Sequence, residues 1–124
     1  MKTKEKGDIA ESAAIYYYTL RKEQVLLPFG DKQKYDIVIV RNNQFLKVQC
    51  KYTSYKSKYG IYCVPMGICG GNQKSYNFNK YTVNDFDLLF VLTDSKIMYE
   101  IPSNICLLNN KQINLGIKFD QYKI

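Results

Sequence analysis

Hydrophobic positions recur with two different periods along this chain. Ala10, Ala13, Ala14 and Tyr17 fall at i, i+3, i+4 and i+7, the apolar stripe of an amphipathic helix predicted from about Ile9 to Leu20. Asp8 is its expected N-cap, and with Glu11 three residues later it also spells a capping box. From Gln24 the pattern turns extended: Gln24 to Leu27 reads as a short strand and Pro28-Phe29-Gly30-Asp31 as a turn. Two strand-like arms follow, Tyr35 to Val40 and Phe45 to Lys51, joined by Arg41-Asn42-Asn43-Gln44. Asparagine tolerates positive φ, so Asn42-Asn43 predicts a two-residue hairpin loop, and that loop fixes the register. With Arg41 opposite Gln44, Val40 faces Phe45 and Asp36 faces Gln49. Lys51 lies two residues on, on the same side as Gln49.

The second half is less regular. Ile61-Tyr62-Cys63-Val64 predicts a strand, residues 67–73 a glycine-rich loop, and Tyr76 with Phe78 a further strand. Leu88-Leu89-Phe90-Val91-Leu92 is uniformly apolar, as a strand buried on both faces requires. Thr93-Asp94-Ser95-Lys96 turns it into a strand from Ile97 to Ile101, and Pro102-Ser103 begins a turn or short helix. The tail from Leu115 to Ile124 is expected to add an edge strand. A helix followed by strands, with no repeat or low-complexity linker, predicts a mixed α/β (α+β) chain. Its 124 residues suffice for one domain with one core.

No apolar run is long enough to span a bilayer. The basic start, Met1 to Lys6, leads into acidic residues and does not read as a signal peptide, so a soluble, cytoplasmic protein with no membrane partner is expected. Cys50, Cys63, Cys69 and Cys106 show no C-x-x-C spacing and the chain has no histidine, which argues against a zinc site or a disulfide framework. The formal charge of +7 and pI near 9.2 favour a polyanionic partner. A coding sequence rich in A and T would also raise Lys, Asn, Ile and Tyr. The distribution is more telling than the total. Lys47, Lys51, Lys56 and Lys58 interleave with Tyr52, Tyr55, Tyr59 and Tyr62, so Lys47, Tyr55, Lys56, Lys58 and Tyr59 are candidate nucleic-acid contacts. A tyrosine-rich strand pair with solvated lysines accounts for the same tyrosines.

Several chemistries are excluded. Gly60-Ile61-Tyr62 spells half of one nuclease signature but lacks the matching Tyr-Ile-Gly downstream. The glycines from Gly67 to Gly71 lack the spacing of a dinucleotide fingerprint or a phosphate loop. Without histidine, Cys69 has no partner for a nucleophilic dyad. Asp36, Gln49 and Lys51 remain: a carboxylate, an amide oxygen and an ammonium converging at one end of a hairpin. They make poor core residues and a plausible metal and phosphate site.

Asp36, a short hairpin, then Gln49-Cys50-Lys51 resembles the signature of the PD-(D/E)XK nuclease superfamily, in the variant where glutamine replaces the second acidic residue. Lys6-Gly7-Asp8-Ile9-Ala10-Glu11 resembles its opening helix, and Leu27-Pro28-Phe29-Gly30-Asp31 its lead-in to the first catalytic strand. Tyr81 to Asp87 and Tyr99 to Pro102 are similar to later strands of small intron-encoded and archaeal-resolvase-like members. One departure is Tyr35, where a proline usually precedes the aspartate. The resemblance implies a restriction-endonuclease-like core, with a central mixed β-sheet, an N-terminal helix and flanking helices. It implies catalytic residues Asp36, Gln49, Lys51 and Glu11. Mg²⁺ or Mn²⁺ would be held by Asp36, Glu11 and the side-chain or backbone oxygen at Gln49 or Cys50. On local sequence Glu11 remains a capping residue as well. Three functions follow: a site-specific double-strand DNA endonuclease acting as a homo-oligomer, dimer or tetramer; a four-way junction resolvase; or a non-catalytic DNA-binding module.

Overall fold

The computed structural model of the protein describes residues 1–72, 75–108 and 111–124, with the backbone alone described for 69–72 and 75–77. Helix α1 (Thr3–Leu20) buries Ala10, Ala14 and Tyr18 in one line. Ala13 and Tyr17 flank that line and pack against the same core. The alanines let the helix lie close to the sheet, and Tyr18 reaches beyond them to Phe90, ring centroids 6.1 Å apart. The helix begins earlier than predicted. Its N-cap is Lys2, without a side-chain cap, and Asp8 lies in the second turn, paired with Lys4 at 3.4 Å. No capping box forms, so Glu11 is released from that role. At the other end Lys22 takes φ of 61°. Its N–H donates to Thr19 O at 2.9 Å and that of Glu23 to Tyr18 O at 3.0 Å. This is a Schellman ending that turns the chain back toward the sheet.

The strands are β1 (Gln24–Leu26), β2 (Ile37–Arg41), β3 (Gln44–Thr53), β4 (Cys63–Pro65), β5 (Gly67–Asn72), β6 (Ser75–Lys80), β7 (Leu88–Thr93), β8 (Met98–Pro102) and β9 (Gln112–Asn114). Helix α2 (Ser103–Cys106) is a single turn, and Ile117–Tyr122 is a 3₁₀ segment. The main sheet has the order β1-β2-β3-β7-β8, with β3 and β7 parallel and the other neighbours antiparallel. Asn42 and Asn43 take φ of 51° and 62°, and the β2–β3 register runs from Arg41↔Gln44 to Ile37↔Val48 as the loop predicts. The ladder then stops. Asp36 donates its N–H to Val48 O at 2.8 Å instead of extending the pairing to Gln49.

Side-chain alternation divides the core in two. Ile37, Ile39, Val48, Cys50, Leu88, Phe90 and Leu92 pack beneath α1, while Leu89, Val91, Tyr99 and Ile101 join Val64, Met66, Tyr81 and Phe86 on the opposite face. β7 is buried on both sides, as its unbroken apolar run requires. That opposite face is covered by the β4–β9 pair, α2 and the 3₁₀ segment rather than by long helices. Residues 67–72 are not the expected loop: β5 pairs with β6 from Gly67↔Lys80 onward, and Gln73 lies outside the described residues. A Cβ on Gly67 would sit 2.4 Å from Asn79 O, so this glycine serves a close approach rather than flexibility. The tail is not an edge strand either. Phe119 is buried and Tyr122 packs three residues on, a helical spacing; strand pairing persists only as the Tyr99↔Lys123 bridge. Cys50, Cys63 and Cys106 are buried free thiols, and no described helix is long and apolar enough to cross a membrane.

Charges gather where α1 ends. Arg41 donates to Glu23 at 3.1 Å and to both oxygens of Glu100 at 2.9 and 3.2 Å; Tyr18 also donates to Glu100, and Arg21 to Glu23. The network ties helix, β1 turn, β2 and β8 together. The Arg41 bond first, then Arg21, holds the Glu23 carboxyl below its ordinary 4.5 despite burial. Glu23 therefore stabilises the fold fully above that ordinary value, and this contribution is lost as pH falls through the lowered one. Replacing Arg41→Met should cost about 1–2 kcal/mol at neutral pH. It should also flatten the acid limb of stability against pH, as measured by urea unfolding.

Candidate active site

At the end of the sheet away from the Asn42-Asn43 loop, β3 outruns β2. Residues beyond Val48 pair with β7 on one side, but no β2 residue lies opposite them on the other. Asp36 fills that place. Its Oδ2 accepts the Cys50 N–H at 2.8 Å, taking over the bond a longer β2 would have made.

The result is a cavity of about 430 Å³ whose lining includes Glu11, Asp36, Gln49, Cys50 and Lys51. All four residues read from sequence as catalytic thus meet, from α1, the lead into β2, and β3. Gln49 and Lys51 alternate away from the α1 core, whereas the Cys50 side chain lies within it. Burial pushes the Cys50 thiol well up, so the sulfur stays protonated. What position 50 offers a ligand is its backbone carbonyl, on the same strand edge as the N–H taken by Asp36. Gln49 is 9% exposed, and its amide makes a long bond to that carbonyl, 3.4 Å. The Lys51 ammonium stands 5.1 Å from the Tyr81 ring centroid. Tyr81 is held edge-on against Phe86 at 5.3 Å, a neighbour to Lys51 that no local pattern announces. A second cavity, about 260 Å³, reaches Glu11 and Asp36 from the side of the Leu27–Tyr35 loop.

Both carboxyls are strained electrostatically. Burial raises Asp36, with the Cys50 N–H and Lys51 pulling it partly back. Burial also raises Glu11, followed by repulsion from Asp36 and Asp8, with Lys4 opposing. Two repelling carboxylates beside an amide and a carbonyl oxygen form a hard donor set that suits Mg²⁺ or Mn²⁺. Among the described residues no three His, Cys, Asp or Glu side chains gather as a metal group. A centre here would therefore rest on two carboxylates completed by neutral oxygens.

The candidate nucleic-acid residues separate. Lys47 donates Nζ to Asn84 O at 2.6 Å, and its N–H bonds the Asp87 carboxylate at 2.8 Å. It pins β3 to the turn before β7, a tertiary role its sequence position does not reveal. Tyr55, Lys56, Lys58 and Tyr59 lie on a small hairpin closed by Cys63 N–H to Tyr55 O at 2.9 Å and Ser57 N–H to Ile61 O at 2.8 Å. Tyr55 and Tyr59 are 67% and 77% exposed, so they are not a buried strand pair. Lys58 lies over Tyr59, and Lys56 over Tyr62, whose hydroxyl is anchored by Asp94 and Ser95.

A family model described as PD-(D/E)XK endonuclease matches residues 1–123. Among solved structures the chain is similar to that of a bacterial homing endonuclease, I-Ssp6803I. The TM-score is 0.88 and the identity 28%, covering 99% of this chain and 89% of that one. Comparison with curated proteins returns no match.

The raised Asp36 carboxyl carries a stability cost of definite sign. Its folded value exceeds its unfolded one, so stability is lost as pH rises through the raised value. Asp36→Asn keeps an oxygen for the Cys50 N–H and removes the charge. In urea unfolding with EDTA at neutral pH it should stabilise the protein by on the order of 1 kcal/mol. The gain should vanish in acid.

Proposed function

Because the chain belongs to the PD-(D/E)XK endonuclease family, we propose that it is a Mg²⁺-dependent, site-specific double-strand DNA endonuclease of the homing or restriction-like kind. The observation that carries this reading is the meeting of Glu11, Asp36, Gln49 and Lys51 on one cavity, with the Cys50 carbonyl at the same strand edge. The similarity to a bacterial homing endonuclease supports the homing branch over the junction resolvase.

In the proposed reaction, Asp36, Glu11 and the side-chain or backbone oxygen at Gln49 or Cys50 would hold the cation. When bound, Mg²⁺ acidifies a coordinated water and offsets charge on the phosphate. Lys51, as an ammonium, would direct the water at phosphorus, stabilise the hydroxide left when the water's proton passes to solvent, and neutralise the five-coordinate phosphate as the P–O3′ bond breaks and the leaving oxygen takes a proton from solvent. The products are a 3′-hydroxyl and a 5′-phosphate. The Cys50 N–H holds the Asp36 carboxylate through one oxygen, Oδ2. Gln49 makes the centre one charge less negative than an acidic version, which lowers its affinity for cations. One such site cuts one strand, so double-strand cutting requires a homo-oligomer, a dimer or tetramer, that presents two sites.

The test is Mg²⁺-dependent cleavage of a pooled duplex library and a synthetic four-way junction. Wild type should cut one duplex sequence, and Asp36→Asn and Lys51→Ala should each lose at least about a hundredfold in rate. Undiminished cutting by either variant would overturn the residue roles. Cutting of the junction alone would make the protein a resolvase. Metal-independent DNA binding without cutting of any duplex would make it a binding module.

A further inference from the structure

A second groove, of about 280 Å³, adjoins the cavity holding the carboxylates. The two share Lys6, Tyr52 and Pro65. Their chemistry differs. Asp8, Glu11 and Asp36 line the first, whereas no carboxylate is among the described residues lining the second, which presents Lys6, Tyr52, Ser54 and Tyr55. The three lysines of the first cavity differ as well. Lys4 is paired with Asp8, and Lys51 stands by Tyr81 and Asp36. Lys6 lies 6.0 Å from the Tyr52 ring centroid, and no carboxylate among the described residues makes an ion pair with it. It projects from α1 and Tyr52 from β3, so helix and strand hold the pair at the point where the two spaces join. Tyr55, beyond them, is 67% exposed.

We propose that this groove is a nucleotide subsite: it holds the nucleotide flanking the scissile phosphate, with Lys6 on its phosphate and Tyr52 and Tyr55 against sugar or base. A cation and aromatic faces without a competing carboxylate are the chemistry that grips a phosphodiester strand. An acidic peptide would use the charge but gain little from the rings. The word "scissile" rests on the nuclease reading; the binding itself does not.

The experiment measures binding of a fluorescein-labelled mixed-sequence duplex by anisotropy, in EDTA, across a salt series. Each phosphate contact contributes a slope of about −0.9 in log K against log salt. Lys6→Gln should make the slope shallower by about that amount, and Lys6→Arg should restore it. Lys22→Gln removes the same charge at the far end of α1 and should leave the slope as in wild type. Tyr55→Leu should weaken binding about tenfold with the slope unchanged. Equal slopes for Lys6→Gln and Lys22→Gln, or no duplex binding by wild type, would overturn the proposal. A Mg²⁺ cleavage assay run alongside separates the two readings. A chain that binds with a Lys6-dependent slope but never cuts keeps the subsite and loses the nuclease. One that cuts, with Lys6→Gln unchanged in slope, loses only the subsite.

Discussion

One hydrogen bond organises the carboxylate-lined end of this protein: the Cys50 N–H to the Asp36 carboxylate. It exists because β2 begins at Ile37 while its partner β3 runs on to Thr53. A backbone donor left at a strand edge must find an acceptor. Here a carboxylate supplies it, and the other carboxylate oxygen remains for the cavity. The same missing stretch of β2 leaves room for Glu11 to approach from α1 and for Gln49 and Lys51 to enter from the opposite alternation of β3. Shortening one strand thus gives access from both faces of a sheet that is closed elsewhere.

Helix α1 meets opposite electrostatics at its C-terminal end and at its middle. Where it ends, Glu23 and Glu100 share Arg41, and Glu23 is lowered below its ordinary value. At its middle, Glu11 lies close enough to Asp36 for the two carboxyls to repel, and both are raised. The first arrangement holds the helix to the sheet; the second sets two carboxyls against each other. The lowered and the raised carboxyls therefore stand about half the helix apart, and the Arg41 network holds the end of the helix from which Glu11 projects.

The parts of the molecule legible in sequence are those decided locally. Asn42-Asn43 fixed the turn, the turn fixed the register, and the register brought Asp36 to the same end as Gln49 and Lys51. The uniformly apolar β7 and the Ala10-Ala14 stripe were equally plain. What escaped depends on distant partners. Asp8 looked like a cap because nothing in Lys2 to Gly7 marks a helix start, yet packing at Ala10 and Ala14 extends the helix back through them. Gly67 looked like loop because its reason, the Asn79 carbonyl, lies across a hairpin. The bonds that tie Lys47 to Asn84 and Asp87 have no sign in the sequence around it, and Tyr81 carries no sign that Lys51 will stand over its ring.

The parallel pairing of β3 with β7 also shapes how the chain reaches this state. The β2–β3 hairpin can close through two residues, but Lys51 meets Val91 only after residues 54–87 have looped back. Closing so long a loop costs entropy before any contact repays it, so hairpin and α1 form readily and the central pairing comes late. Asp36 and Cys50 are joined by the early event, whereas Lys51 gains Tyr81 only with the late one. The anchor of the aspartate is thus a neighbour within one hairpin, whereas the aromatic companion of the lysine comes from the long segment between the two parallel strands.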